Sequence, residues 1–328
     1  MKKRLVWLLK CFLLTSILFI ATLELCYREQ RFDFYRPELR SLNSPQELTS
    51  DLNKILVCGD SFTADPASYV SVLKDSLRSY AVINAAIPGS GIRQQALILP
   101  DRIKTFTPRI FIFQFYVGND LFDISHPWYS NSVSMARKIY WYVSDRILSL
   151  AFLNFRFAGI RYKYYDDAGG NYKPKDYELF SVQTYSKREK LNYSAEPALV
   201  ENTLYLKGGR EKDWKVFKNE FNAMTRYLEP SARKIFIIIP HESQWSGELQ
   251  AKHAMLGAVF DPLLSREDYP LYREIVKLCN DLNFEVFDFR KEAALAGKSN
   301  SFYYPNDPHL TPEGHTLLGE LLLKRIDP

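Results

Sequence analysis

The 328-residue sequence predicts an α/β fold: a five-stranded parallel sheet with helices on both faces, behind an apolar N-terminal helix. Three observations carry this. After about residue 50, short apolar runs rich in β-branched and aromatic residues alternate with helical stretches. The runs are continuously apolar, as in strands covered on both sides. Their order, βαβαβ followed by αβαβα, is that of strands joined by helical crossovers. The apolar share of 46% and charged share of 25% are those of a globular chain and exclude a disordered or collagen-like one.

Strands are expected at Lys54–Cys58, Ala81–Asn84, Arg109–Tyr116, Lys234–Pro240 and Glu285–Phe289. Helices are expected over Tyr69–Arg78, Ile92–Phe106, Asp213–Leu228 and Tyr269–Leu282. A last helix runs from Thr311 to Arg325, with Pro312 suited to its first turn. In such sheets ligands bind beyond the carboxyl ends of the strands. The loops at Gly59, Gly89, Gly118 and Pro240 therefore share one rim.

At the N-terminus, Lys2, Lys3 and Arg4 precede a run from Leu5 to Leu25 whose only charges are Lys10 and Glu24. Counted from Leu5, with Lys10 snorkelling toward the headgroups, it reaches the ~20 helical residues that cross a bilayer. The basic start favours an N-terminus in the cytoplasm. Two readings follow, an uncleaved anchor or a cleaved signal peptide, and both export the rest of the chain. No small-x-small cleavage site follows the run, and Glu24-Leu25 before Cys26 does not suit a lipoprotein. The expected organisation is residues 1–27 as membrane anchor or signal peptide, 28–50 as linker, and 51–328 as the globular domain with an insertion at 127–212.

The rim carries the candidate chemistry. The first strand ends in Gly59-Asp60-Ser61, which places a serine at a tight turn. A serine hydroxyl needs a base to become nucleophilic. Near the C-terminus stands Asn306-Asp-Pro-His309, where a carboxylate two residues before an imidazole can orient it and stabilise its charged form. Acyl transfer also needs donors for an oxyanion. The Ser61 and Gly89 N–H groups and the Asn119 side-chain amide are the candidates.

These blocks resemble those of the SGNH (GDSL-type) hydrolases. Val57-Cys-Gly-Asp-Ser-Phe-Thr63 is similar to the nucleophile block, Asn84-Ala-Ala-Ile-Pro-Gly89 to the glycine block, Gly118-Asn-Asp120 to the asparagine block, and Asp307-Pro-His309 to the last block. The resemblance covers roughly residues 52–125 and 230–326. It implies a flavodoxin-like three-layer α/β/α fold, with Ser61 as nucleophile, His309 as base, Asp307 as its orienting acid, and Ser61, Gly89 and Asn119 as the oxyanion hole. Phe62 replaces the leucine of the GDSL pattern. The common last block is Asp-x-x-His, but the residue three before His309 is Asn306. Some membrane-linked members resemble the shorter spacing seen here.

The remaining histidines are alternatives or bystanders. His241 follows the fourth strand beside Glu242 and is the rival base, or a pocket residue. His126 follows the asparagine loop, where it could touch substrate. His315 lies inside the last helix, packed or facing solvent, and His253 has no interpretable context.

No cofactor or metal is implied. Gln94 stands where a dinucleotide loop needs its third glycine, no phosphate-cradling loop occurs, and no His/Cys grouping has zinc spacing. Four dispersed cysteines exclude a disulfide scaffold. A net charge of +5 does not mark a nucleic-acid binder. Asn192-Tyr-Ser194 matches the N-glycosylation pattern.

The insertion from Pro127 to Lys212 carries 14 Lys and Arg, 9 Asp and Glu, and 17 aromatic residues. A helix is expected over Ser134–Phe157. The segment reads as an aromatic lid over a sugar chain, as a basic aromatic surface against a bilayer, or as a helical extension packed on the core.

The expected function is a membrane-anchored serine esterase acting outside the cytoplasm. Its substrate is a small acyl ester, such as an acetyl group, on a small molecule or an envelope polysaccharide. The alternatives are an O-acyltransferase with the same acyl-enzyme and a catalytically silent, membrane-tethered binding or assembly protein. The oligomeric state is not legible.

Overall fold

A computed structural model describes residues 2–165, 174–176, 178–262, 268–298 and 302–327. The chain opens with α1 (Lys2–Arg28), α2 (Arg36–Leu42) and α3 (Pro45–Thr49). It continues as β1 (Asn53–Cys58), α4 (Tyr69–Ser76), β2 (Tyr80–Asn84), α5 (Ile92–Phe106) and β3 (Ile110–Tyr116). The insertion holds α6 (Met135–Ser144), α7 (Leu148–Tyr165), α8 (Lys187–Ala195) and α9 (Leu199–Tyr205). The α/β pattern resumes with α10 (Arg210–Thr225), β4 (Arg233–Ile239), α11 (Gly247–Met255), α12 (Pro270–Leu282), β5 (Glu285–Asp288) and α13 (Phe289–Leu295). A short hairpin of β6 (Tyr303–Tyr304) and β7 (Asp307–Leu310) leads into α14 (Pro312–Ile326).

The five long strands form one parallel sheet in the order β2-β1-β3-β4-β5. This is the flavodoxin-like order, whose reversal point lies between β1 and β3. The sheet's two faces follow from the two-residue period of each strand. In β3, Phe111, Phe113 and Phe115 point to the layer holding α5, α10 and α12. Ile110, Ile112 and Tyr116 point to the layer of α4, α13 and α14. All seven β3 residues are buried, which explains the run without polar alternation. Each fully buried Phe or Ile contributes on the order of 1.5–3 kcal/mol relative to exposure.

The expected strands and crossover helices are all present, with ends shifted by a few residues. Two stretches differ. Residues 36–49, read as linker, form α2 and α3, because Ser44 caps α3 and buried Asn43 bonds both the N–H and the C=O of Asn84 at the end of β2. The helix expected over Ser134–Phe157 is two helices, α6 and α7, parted by a turn at Asp145–Ile147.

Helix α1 is exposed along its apolar length and is long enough to cross a membrane. Its last turn joins the body. Glu24 accepts hydrogen bonds from Leu148 N and Ser149 N at 3.1 and 2.8 Å, capping α7, and Arg28 donates to Arg146 O. Tyr27 and Tyr35 are buried with Ile87, Ile98 and Leu148 in a small separate core.

Within α6, Trp141 is buried and stacks on His126, whereas Met135, Ile139 and Tyr142 are exposed. The first half of the insertion is thus packed on the domain through one face. Part of its Tyr- and Lys-rich stretch lies outside the described residues. Asn192 is buried in α8, so the glycosylation pattern around it is inaccessible in the folded chain.

Candidate active site

Ser61 stands just past the end of β1. The Asp60 carboxylate accepts from Phe62 N at 3.0 Å, and Asp60 O accepts from Thr63 N and Ala64 N. These bonds wind the chain tightly and hold Ser61 at the rim. Gly59 is required by space. A Cβ there would lie 2.4 Å from Gln114 Oε1, the same oxygen that accepts from Asp60 N.

His309 comes from β7 at the other end of the chain, 248 residues away. Its Nε2 is 2.9 Å from Ser61 Oγ, and its Nδ1 is hydrogen-bonded to Asp307 Oδ1. His309 N also donates to that oxygen at 3.0 Å. Burial raises the Asp307 carboxyl, but the hydrogen bond and charge of His309 outweigh it and hold it below the usual range. The Phe62 ring lies 4.9 Å from the imidazole and limits its movement. Ser61, His309 and Asp307 therefore form one connected line.

Asn306, three residues before His309, has a different task. Its side chain accepts from Ser181 N and Thr184 Oγ and donates to Leu179 O, and its C=O accepts from Ser186 N. It ties the hairpin to the insertion and leaves the imidazole to Asp307.

The other rim residues stand where the strand order puts them. Gly89 follows β2 with φ +67°, a backbone conformation that favours glycine. Neither its N–H nor that of Ser61 meets an acceptor among the described residues. Asn119 follows β3. Its Nδ2 donates to Asp123 Oδ2 at 2.8 Å, which fixes the amide and leaves its second N–H over.

Behind Asn119 lies a charged group that the sequence did not reveal. Arg188 of α8 contacts both Asp123 oxygens, at 3.1 and 2.9 Å. His126 sets Nε2 3.4 Å from Asp123 and Nδ1 2.7 Å from Asp145. Burial would raise Asp123, but Arg188 and His126 bring it down to about 2. Burial would lower His126, but its two carboxylate partners raise it above the usual histidine value. His126 thus supports the asparagine loop from behind. Asp120 is buried near Asp60, and burial with that neighbouring charge pushes its carboxyl well above the usual range.

His241, the rival base, is buried beyond two rings. Phe62 packs on Tyr116 at 4.3 Å between centroids, and Tyr116 stacks on His241 at 6.2 Å. Its nitrogens bond within a separate cluster that also holds His253, 4.6 Å away between ring centroids. His315 is buried against Tyr69, and burial lowers it to about 4.

No protein-family profile matches the chain, and no curated protein matches it. Solved structures do. One is the lipase/acylhydrolase from Enterococcus faecalis, 15% identical, TM-score 0.41, covering 84% of this chain and 95% of that one. A second is TesA, 11% identical, TM-score 0.42, covering 84% and 99%. A third is a variant of Axe2, an acetyl-xylooligosaccharide esterase from Geobacillus stearothermophilus, 11% identical, TM-score 0.42, covering 86% and 97%.

Proposed function

We propose that the protein is a serine esterase that cleaves a small acyl ester through an acyl-enzyme. The observation that carries this is the line Asp307–His309–Ser61, with the hydroxyl 2.9 Å from the imidazole nitrogen that would take its proton. Ser61 Oγ attacks the ester carbonyl as its proton passes to His309 Nε2. The Ser61 and Gly89 N–H groups and the Asn119 amide receive the oxyanion. His309 returns the proton to the leaving alcohol, which departs. Water then attacks the acyl-serine, with His309 as base again, and free acid is released. Asp307 stays ionised throughout and stabilises the imidazolium.

In this reading α1 anchors the chain in a membrane and the domain works outside the cytoplasm. The bilayer-length apolar surface of α1 supports the anchoring, and Lys2, Lys3 and Arg4 before the apolar run support an N-terminus in the cytoplasm with the domain on the far side. The substrate class is an O-acetylated sugar of the cell envelope.

The test is intact mass after exposure to a fluorophosphonate, alongside turnover of a chromogenic acetyl ester. One adduct is expected on the native chain and none on Ser61→Ala, with turnover falling at least about 1000-fold. Absence of labelling on the folded native chain overturns the enzyme reading. Preferential transfer of acetyl to an added oligosaccharide overturns hydrolysis as the reaction.

A further inference from the structure

The end of the domain nearest α1 carries an exposed apolar face. The uncharged run of α1 ends at Leu23, and Glu24 then caps the first turn of α7. From there the two segments run the same way. Tyr27 lies against Phe152, one turn further along α7, and Glu38 pairs with Arg156 one turn beyond that. Helix α7 thus leads away from the apolar run. The turn at Asp145–Ile147 before it is left at the level where that run ends, and Arg28 holds this turn through Arg146 O.

Helix α6 ends in the same turn. Its Met135, Ile139 and Tyr142 recur at four- and three-residue spacing, so they share a side, and all three are exposed. The exposed Trp128 packs its ring against Tyr142 at 5.0 Å and Tyr129 at 6.2 Å, which extends the patch into the loop before α6. The Arg146 guanidinium stands over the Tyr142 ring, 3.7 Å from its centroid. From Trp128 to Ile147 the basic residues are Arg137, Lys138 and Arg146, and the one acid, Asp145, is engaged by His126. A contiguous exposed apolar patch marks a contact surface. Trp and Tyr beside aliphatic and basic side chains are the composition of the headgroup layer.

We propose that this face of α6 and the Trp128 loop lie in the headgroup layer of the bilayer that α1 crosses, with acidic phospholipids preferred. The inference rests on α1 as the anchor and does not need the esterase chemistry. Continuity with the α1 exit selects lipid as the occupant. The patch is joined to the helix within one turn of its apolar run, where a soluble partner would have to displace headgroups. Met135 and Ile139 supply aliphatic surface, the aromatic rings supply apolar bodies with polar tips, and Lys138 and Arg146 meet phosphates. Asp145 of the same turn contacts His126, which contacts Asp123, which holds Asn119. The oxyanion asparagine is therefore three side-chain contacts from the lipid surface.

The test is depth-dependent fluorescence quenching on the full chain in vesicles of phosphatidylcholine with phosphatidylglycerol. Cys11→Ser and Cys26→Ser leave only the buried Cys58 and Cys279, and a dye is then placed on Phe12→Cys, Ile139→Cys or Leu295→Cys. All three positions are exposed, and Leu295 of α13, in the sheet layer opposite α5, is the reference. Nitroxides deep in the lipid chains should quench the Phe12 dye. Headgroup nitroxides should quench the Ile139 dye at least about threefold more than the Leu295 dye, and more strongly with phosphatidylglycerol than without it. An unquenched Phe12 dye overturns the anchor and this proposal with it. A quenched Phe12 dye beside an Ile139 dye no more quenched than the Leu295 dye overturns the docking face alone. So does an Ile139 dye shielded from lipid and water in proportion to protein density, which would assign the face to a second copy of the chain.

Discussion

Asn306 and Asp307 are adjacent and do different work, and a pair of substitutions separates them. Asp307→Asn keeps the shape but loses the charge that orients His309, so ester turnover should fall by about 1000- to 10,000-fold with little change in Tm. Asn306→Ala removes buried hydrogen bonds to the insertion, so it should cost on the order of 1–3 kcal/mol of stability while sparing most turnover. Denaturant melts and acetyl ester kinetics on both variants check this, and the reverse pattern would make Asn306 the residue that matters to the base. Asn119→Ala should lower kcat by about 100- to 1000-fold as an oxyanion donor. Asp123→Ala should lower it by less, about tenfold to 100-fold, because it acts only by holding the Asn119 amide.

Elements were legible in the sequence where burial is two-sided. The strands of the sheet and the helices that cover it announce themselves by continuous apolar runs and helical periodicity. The turn carrying Ser61 was legible because Gly59 and Asp60 are residues such a turn needs. Three other features were not. The β6–β7 hairpin is too short to leave a period. The break between α6 and α7 has no glycine or proline to mark it. The support behind Asn119 assembles Asp123, His126, Asp145 and Arg188 from a loop, a helix break and a distant helix, so no spacing encodes it.

Two predictions belong to these elements. Gly59→Ala should destabilise by roughly 1–3 kcal/mol, because the new methyl meets Gln114 inside the sheet; a thermal melt with no shift would refute the close approach. His126, raised by its carboxylates, contributes stability that is complete below about pH 6.5 and is lost as pH rises through its raised value. The Tm gap between the native chain and His126→Gln should therefore be widest in mild acid and shrink as the pH is raised through that value.

At the scale of the whole molecule, the N-terminal helix and the domain share residues. A chain beginning at Glu24 keeps the α7 cap and Tyr27, so it should be soluble and retain acetyl ester turnover. One beginning at Arg36 loses Tyr27 and Tyr35 from their core and should melt several degrees lower. Centrifugation and calorimetry of the two truncations check this. Equal melting temperatures would mean that α1 ends in a loose tether.

The Glu24 cap and the Arg28 bond also govern working distance. A domain on a flexible leash sweeps a volume and meets polymers at many heights. Here the stalk runs straight into the body, so a bilayer holding it would set the Ser61 rim at one altitude and one tilt. Esters would then be cut in a single plane parallel to the lipid, and lengthening the stalk by a few helical residues would raise that plane rather than widen it.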